Sequence, residues 1–586
     1  MVKAQRHHGA STRDTGAESD RSESWSRARP DVRSEKGRTR PAPASLDAHS
    51  PISYLYLTFD TLLPTLPAAE HGQQPPPCPD LRRLDSPLTW SPVRKYVLLA
   101  MSCTATFLTA YAAGSYSPPA AVMAQDFGTS RLVILVGITT FCLGFAIAPM
   151  ALAPISEIWG RFPVFVAAGI VFVVSQVACS FMPNATGMLV ARLLTGVGAS
   201  VFSAVVGGVI ADLWDNKDRN TPMALFSCAV LTGTGAGPLV ATALVQSISN
   251  PTLAWKWVFW HQVIMDAVLV VAIFVLCKES RASVLLTKRA QLLNKWYAEL
   301  EGQGTYGLWT LGPASMAINT SDGLSDATLG GEGGGDTPQS QLRRIRWLVR
   351  EDEQRPPVRK MMTLSIQRPF HMLFTEPIVF CFSLWAAFSW GILYLSFSVV
   401  PFLYETDLDK AGRVYVAMIV AGAVATVVSI AQQQLLQHPQ WRAHDDGFRL
   451  YFACVTAMFL PAGLFGAFMC PRYMDGYAEA VGLGFATCGI YSVYLATFNY
   501  LADAYGAYAS SALAAQSCCR NIVGGGFPLL TRALFSNLGL RGAGGLLGGI
   551  ATVLTITPWV LVFFGESVRT RSRFATDSLC RNKVAV

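Results

Sequence analysis

The residues with the chemistry to move charge are few, and each stands out against apolar surroundings. Glu157, Gly160 and Arg161 lie in the polar, turn-forming stretch 153–165, Ala-Pro-Ile-Ser-Glu-Ile-Trp-Gly-Arg-Phe-Pro-Val-Phe, between two apolar runs. A carboxylate and a guanidinium four residues apart, with a glycine for a tight turn, can form an ion pair that holds one conformation and breaks in another. A simple ion-paired turn is the alternative. Arg192 follows apolar or small residues, Gly187 to Ala191, early in another apolar run. An arginine inside hydrocarbon costs on the order of several kcal/mol, so its default role is functional; the alternative is that it snorkels outward. Asp266 and Arg520 fall near the middle of two further runs. Desolvation disfavours a charged carboxyl at that depth, so Asp266 could bind and release a proton near neutral pH, or else form a helix-contact hydrogen bond. Gly233-Thr-Gly-Ala-Gly237-Pro238 has a mechanical character instead. Glycines at that spacing admit a neighbouring helix closely, and Pro238 removes a backbone donor and bends its own helix.

These residues need elements that hold them at depth in a bilayer, and the composition supplies them. Of 586 residues, 51% are hydrophobic and only 14% are charged, against about a quarter in soluble domains. The apolar runs approach the ~20 residues needed to span hydrocarbon. Twelve spans are expected, at 94–114, 131–152, 164–182, 187–211, 223–246, 256–277, 377–401, 413–434, 450–470, 477–501, 509–535 and 543–565. The fold class is therefore an all-α membrane protein with twelve transmembrane helices in two six-helix bundles. The layout divides into a disordered tail over 1–92, a first bundle over 93–277, a central loop over 278–376, a second bundle over 377–565 and a terminal tail over 566–586. Lys and Arg crowd the central segment and the last twenty residues, whereas the short loops at 115–130, 183–186 and 247–254 have none. Positive flanks stay inside, so both termini and the central loop are expected in the cytoplasm.

Several function classes drop out. The net charge of +8 comes mostly from tails and loop, and no nucleic-acid recognition motif accompanies it. The thirteen cysteines form no C-x-x-C pair or metal-ligand cluster. No P-loop lysine signature and no nucleophile–base cluster at an inner loop is present, so no cofactor, metal or enzymatic chemistry is expected. Within the central loop, Gly323–Gly335 reads as flexible. Leu285, Leu292, Leu293, Trp296 and Leu300 form one helical stripe over 283–300, fit either to lie on the inner membrane surface or to pack on the protein's cytoplasmic face. Asn184-Ala185-Thr186 and Asn319-Thr320-Ser321 are glycosylation sequons, the first in a loop too short to be used and the second on the cytoplasmic side.

The motifs together resemble the major facilitator superfamily, in the fungal twelve-span drug:proton antiporter branch. The 153–165 loop is similar to the family's Gly-x-Leu-x-Asp-x-x-Gly-Arg-Arg loop, with Ala153 for the first Gly, Glu157 for Asp and Phe162 for a second basic residue. Arg192-Leu-Leu-Thr-Gly resembles Arg-x-x-Gln-Gly, whose arginine the family associates with proton coupling. The 233–238 segment resembles the Gly-x-x-x-Gly-Pro motif of exporters. Trp255-Lys-Trp-Val-Phe-Trp260, Arg368-Pro-Phe-His-Met-Leu-Phe-Thr-Glu-Pro377, the run Asn499–Gln516, Arg520-Asn521 and Gly524-Gly-Gly-Phe-Pro528 extend the resemblance over roughly 95–570. It implies alternating access by two rocking bundles. The implied activity is export of lipophilic drugs, xenobiotics or secondary metabolites in exchange for protons, by a monomer in the plasma membrane. Spans one, four, seven and ten of the superfamily line a central cavity, which makes Trp385, Trp390, Tyr394, Tyr491, Tyr494 and Asn499 the expected substrate contacts. A polyamine or metabolite exporter of the same branch is the alternative, and a transporter-like membrane sensor is the alternative of another class.

Overall fold

Apolar runs without water can satisfy their own backbone only as helices or closed barrels, and this chain takes the helical course. The computed structural model describes residues 46–66, 76–215, 218–310, 341–404, 407–436, 445–469, 477–572, 574 and 576. Of the sequence expectations, Gly323–Gly335 and the Asn319 sequon lie outside them, as do residues 1–45 of the expected tail and most of 573–586.

The first bundle contains α1 (Pro92–Gly114), the short α2 (Ala120–Asp126), α3 (Arg131–Ile158), α4 (Arg161–Phe181), α5 (Ala185–Ala204), α6 (Val206–Leu213), α7 (Asn220–Ser247) and α8 (Pro251–Leu276). Helix α6 continues α5, and the two make one crossing. Local signals set the starts: Ser130 caps α3, Asn184 caps α5 and Asn250 caps α8, each accepting from a backbone N–H three residues on. The Asn184 side-chain oxygen is thus committed to Gly187 N at 2.8 Å.

The second bundle contains α12 (Pro377–Leu403), α13 (Leu408–Leu436), α14 (Asp445–Ala457), α15 (Phe459–Met469), α16 (Tyr477–Tyr505) and α17 (Ala509–Arg571). The expected ninth span is broken between α14 and α15. Among the described residues, eleven helices are long and apolar enough to cross a membrane. The longest, α17, has 63 residues; straight, it would run about 95 Å, some three hydrocarbon thicknesses. It is interrupted at Gly539, whose φ of 67° suits glycine. Phe535 before that break and Gly544 after it both meet Phe468. The chain therefore doubles back there, and its two arms are the eleventh and twelfth crossings.

The region between the bundles departs from expectation. The helix α9 (Ala282–Gly302), strands β2 (Leu308–Thr310) and β3 (Gln341–Leu348), and helices α10 (Arg350–Glu353) and α11 (Val358–Thr375) all lie there. The expected disordered tail supplies a partner: β1 (Ile52–Tyr56) pairs in parallel with β3, Ile52 opposite Arg344 and Tyr56 opposite Leu348. With β2 antiparallel on the other edge, the sheet order is β1-β3-β2. Alternation explains the strand. Ile345 and Trp347 of Leu-Arg-Arg-Ile-Arg-Trp-Leu are buried with Leu57, Leu293, Trp296, Tyr297 and Leu300. Arg344 and Arg346 grip Glu301, at 2.8 and 2.6 Å. These guanidinium groups hold the Glu301 carboxyl down at about 2. Helix α9 thus packs its apolar stripe against this sheet. Leu292, placed on its apolar stripe by sequence, is exposed instead.

Candidate functional site

Three groups of residues stand out: a central polar and aromatic cluster, an ion-pair cluster at the 153–165 loop and a seam of glycines on α7. The first is central. Arg192 on α5 is fully buried and turns inward, which removes the snorkelling alternative. Both of its Nη atoms donate to the Ala112 carbonyl at 3.3 Å. Its guanidinium stands 4.5 Å from the Tyr116 ring centroid and 4.7 Å from that of Phe141. Facing it from the other bundle, Arg520 on α17 lies 4.3 Å from the Trp390 ring and 4.9 Å from the Tyr494 ring. Trp390 stacks on Tyr494, centroids 5.6 Å apart, and Tyr394 stands 6.2 Å from Trp390. The two halves meet between the arginines: Thr139 Oγ1 donates to the Gly525 carbonyl at 2.7 Å. Gly525 abuts Cys142, and Gly524 abuts Trp390 and Tyr394. Both glycines admit side chains that a Cβ would displace.

The centre therefore brings together Arg192, Arg520, Trp390, Tyr394 and Tyr494 of the expected residues, and adds Tyr116, Phe141 and Cys142. Others fall elsewhere. Trp385 packs with Phe382, Tyr500 and their neighbours in a separate cluster of the second bundle. Tyr491 donates to the Ala224 carbonyl across the bundle interface at 3.4 Å. Asn499 is half-buried five residues beyond Tyr494. The same end of the interface is closed by Gly207 against Phe498, by Thr221 to Gln433 at 3.3 Å and by Ala146 and Met150 against Cys518. The central site is shut off on that side, the end at which the 153–165 loop lies.

The second cluster is at that loop. Gly160 has φ 103°, and a Cβ there would strike the Glu279 carboxylate. Glu279 accepts from the N–H groups of Arg161 and Phe162 at 2.9 and 3.2 Å, satisfying the start of α4. The side chain of Arg161 pairs with Asp212 at 3.2 Å, not with Glu157 as its spacing suggested, and its Nη1 donates to Ser156 at 2.8 Å. Arg281 holds the other Asp212 oxygen at 3.0 Å. The physical reason is direction. Glu157 belongs to the last turn of α3 and Arg161 opens α4 after a turn, so four residues of spacing do not put them on one helix face. Asp212, Glu279 and Arg281 come from distant parts of the chain, which sequence spacing cannot bring into view.

The third cluster is the glycine seam of α7. Gly233 lies against the Phe107 carbonyl and Ala110, and Gly237 against the Tyr111 carbonyl and Ser115 N, all on or just after α1. Pro238 fills the space over Gly114. Gly235, on the opposite face, meets Tyr415 and Ile419 of α13 in the other bundle. The motif thus lets α7 approach one helix in each bundle at once. Asp266 stands apart from all three. Gln262, one turn before it, accepts from Gln176 of α4 at 2.9 Å, and Val270, one turn after it, contacts Gly169 of α4. Asp266 shares that stripe, buried on the α4 face with Oδ2 unpartnered.

Comparison with known proteins follows the geometry. Residues 102–528 match the family model described as Major Facilitator Superfamily. The MFS-type transporter paaT of Penicillium rubens is 29% identical over 84% of this chain and 82% of its own. The efflux pump radE of Floropilus chiversii is 27% identical over 83% of this chain and 84% of its own. Among solved structures, the proton:xylose symporter XylE of E. coli superposes with a TM-score of 0.55 at 13% identity, over 81% of this chain and 97% of the other. At that identity the likeness is one of fold.

Proposed function

We propose that this chain, which belongs to the major facilitator superfamily and is a small-molecule membrane transporter rather than an enzyme, is a proton-coupled exporter. Its cargo is a lipophilic drug, xenobiotic or secondary metabolite, and its relatives include fungal proteins named as transporters and efflux pumps. The observation that carries the reading is the central cluster: a buried guanidinium on each bundle, lined by Trp390, Tyr394 and Tyr494. Aromatic walls with few directional groups suit an amphipathic cargo of variable shape. The glycine seam of α7, with faces toward both bundles, supports rocking between two packings.

In this scheme the two bundles of a monomer in the plasma membrane expose the centre alternately to each side, with both termini and the α9–β3 module in the cytoplasm. Proton entry from outside neutralises a carboxylate or loosens an arginine contact and drives the return step. Asp266, buried and with one oxygen unpartnered, is the carboxyl proposed to carry that proton. A charge moved across the membrane supplies about 2.3 kcal/mol per 100 mV. The test is cellular export of a panel of dyes, azoles and polyamines, with and without an uncoupler. Export of dyes or azoles that collapses with the uncoupler supports the reading. Export of polyamines alone favours the metabolite branch, and an absence of any flux with intact membrane targeting favours a sensor.

A further inference from the structure

The central site carries more charge than the protein itself balances. Arg192 and Arg520 are both buried, at 0% and 4% exposure. Neither has an acidic partner among the described residues, whereas Arg161, Arg281, Arg344 and Arg346 all do. Arg192 has one backbone carbonyl and two aromatic faces, and Arg520 has two aromatic faces. Burying a charge without a counter-charge is expensive. Asp266 does not offset it, since its stripe faces α4.

The leftover hydrogen-bonding capacity has the same sign. Arg192 Nε, Arg520 Nε, Trp390 Nε1 and the Tyr116 hydroxyl are buried with no partner. The first three can only donate. Depth agrees as well. Arg192 is about 10 Å into α5 from Ala185, and Arg520 about 16 Å into α17 from the opposite end, which sets both near mid-bilayer. The bundles touch between them at Thr139, Cys142, Gly524 and Gly525.

We infer that the cargo carries an anionic, acceptor-rich group of the carboxylate type, held between Arg192 and Arg520, with its aryl or other flat apolar part against Trp390, Tyr394 and Tyr494. An acid of this kind supplies what the site lacks, a negative charge and acceptors for orphaned donors. The aromatic rings that now face the guanidiniums supply the wall for the apolar part. Because the arginines sit on opposite bundles, one carboxylate can accept from both, offsetting one of the two positive charges and bridging the halves. The inference rests on the export reading for its direction of transport, but its binding chemistry stands separately. It narrows the cargo from lipophilic compounds in general to lipophilic acids, and it excludes polyamines from this site.

The test is equilibrium binding to the purified full-length protein in detergent, which needs no gradient. The probe is tritiated 1-naphthaleneacetic acid, with 1-naphthaleneacetamide as the uncharged competitor of the same shape. The wild type should bind the acid at least about tenfold more tightly than the amide, the scale of one charge-assisted hydrogen bond. Arg520→Gln should lose that preference while keeping amide binding, and Arg520→Lys should keep part of it. Elution and melting profiles establish that each variant is folded, and the Lys variant separates loss of charge from loss of shape. Equal affinity of the wild type for acid and amide overturns the inference, as does the absence of acid binding at about 1 mM or an unchanged preference in folded Arg520→Gln. If acid preference is found but no uphill efflux can be driven in vesicles, the export reading fails and the anion site stands.

Discussion

Asp212→Asn should destabilise this protein far more than Glu157→Gln, although the sequence places Glu157 nearer the arginine that both could serve. Asp212 and Arg161 are both buried, with side chains 8% and 7% exposed, and pair at 3.2 Å. Removing one member of a buried pair costs about 3–5 kcal/mol, because the remaining charge stays desolvated. The lower end applies here, about 3 kcal/mol, since Arg161 keeps its contact with Ser156. For a unit the size of the first bundle that corresponds to a melting temperature lower by roughly 6–12 °C. Arg281 is 29% exposed, and its pair is screened accordingly, so Arg281→Gln should cost at most about 1 kcal/mol. Glu157→Gln, half-buried and outside the pair, should stay within about 0.5 kcal/mol. The assay is thermal unfolding of the three purified variants beside the wild type, read by intrinsic fluorescence and by retention of a monodisperse peak. A Glu157→Gln shift as large as that of Asp212→Asn would show that Arg161 is held by Glu157 and would refute the assignment.

Four further outcomes follow from the same geometry. Arg192→Ala should fold and reach the membrane yet lose efflux, and wild-type efflux by a correctly localised variant would remove Arg192 from the mechanism. Gly237→Leu should reduce export more than insertion, since its side chain would have to displace the Tyr111 carbonyl; the cost of overpacking is about 1–3 kcal/mol, and unchanged transport at equal expression would contradict close packing of α7 on α1. Asp266→Asn should still bind and exchange cargo but lose the response to an external proton gradient; uphill export equal to wild type would make Asp266 structural. Glu301, held at about 2 by Arg344 and Arg346, lies below an unfolded value of about 4.3, so its contribution to the α9–β3 module is full above that value and is lost as pH falls through about 2. Amide exchange of β3 should rise over that window, and Glu301→Gln should flatten the change; an equal rise in the variant would exclude the carboxylate.

How far the sequence reaches is set by whether the relevant physics is local. Span length and the tight turn at Gly160 are properties of a few adjacent residues, and these were legible; the Asn184 cap is equally local, but the sequence reading saw only a glycosylation sequon there. Arg192 and Arg520 could be flagged by their cost inside apolar runs, and the glycines of 233–238 by their spacing. Pairing across the chain was not legible. Asp212 and Arg281 meet Arg161 from distant segments, and Glu279 caps α4 from beyond α8. Strand β1 finds β3 nearly three hundred residues later, so a segment poor in apolar periodicity becomes ordered by a partner that no local pattern announces. Tyr116 illustrates the same limit. Read alone it belongs to the 115–130 loop, and only the fold turns it under the Arg192 guanidinium.

The central claim is that a proton gradient does work on a lipophilic cargo through this chain. The measurement that tests it most directly uses the purified protein in sealed proteoliposomes, with an imposed proton gradient and a labelled compound chosen from the cellular panel. The account predicts accumulation against the compound's own gradient, proton movement in the opposite direction, and loss of both when the gradient is collapsed or Arg192 is replaced by Ala. Movement of the compound at the same rate and to the same level with no proton gradient, unaccompanied by proton flux, would contradict it.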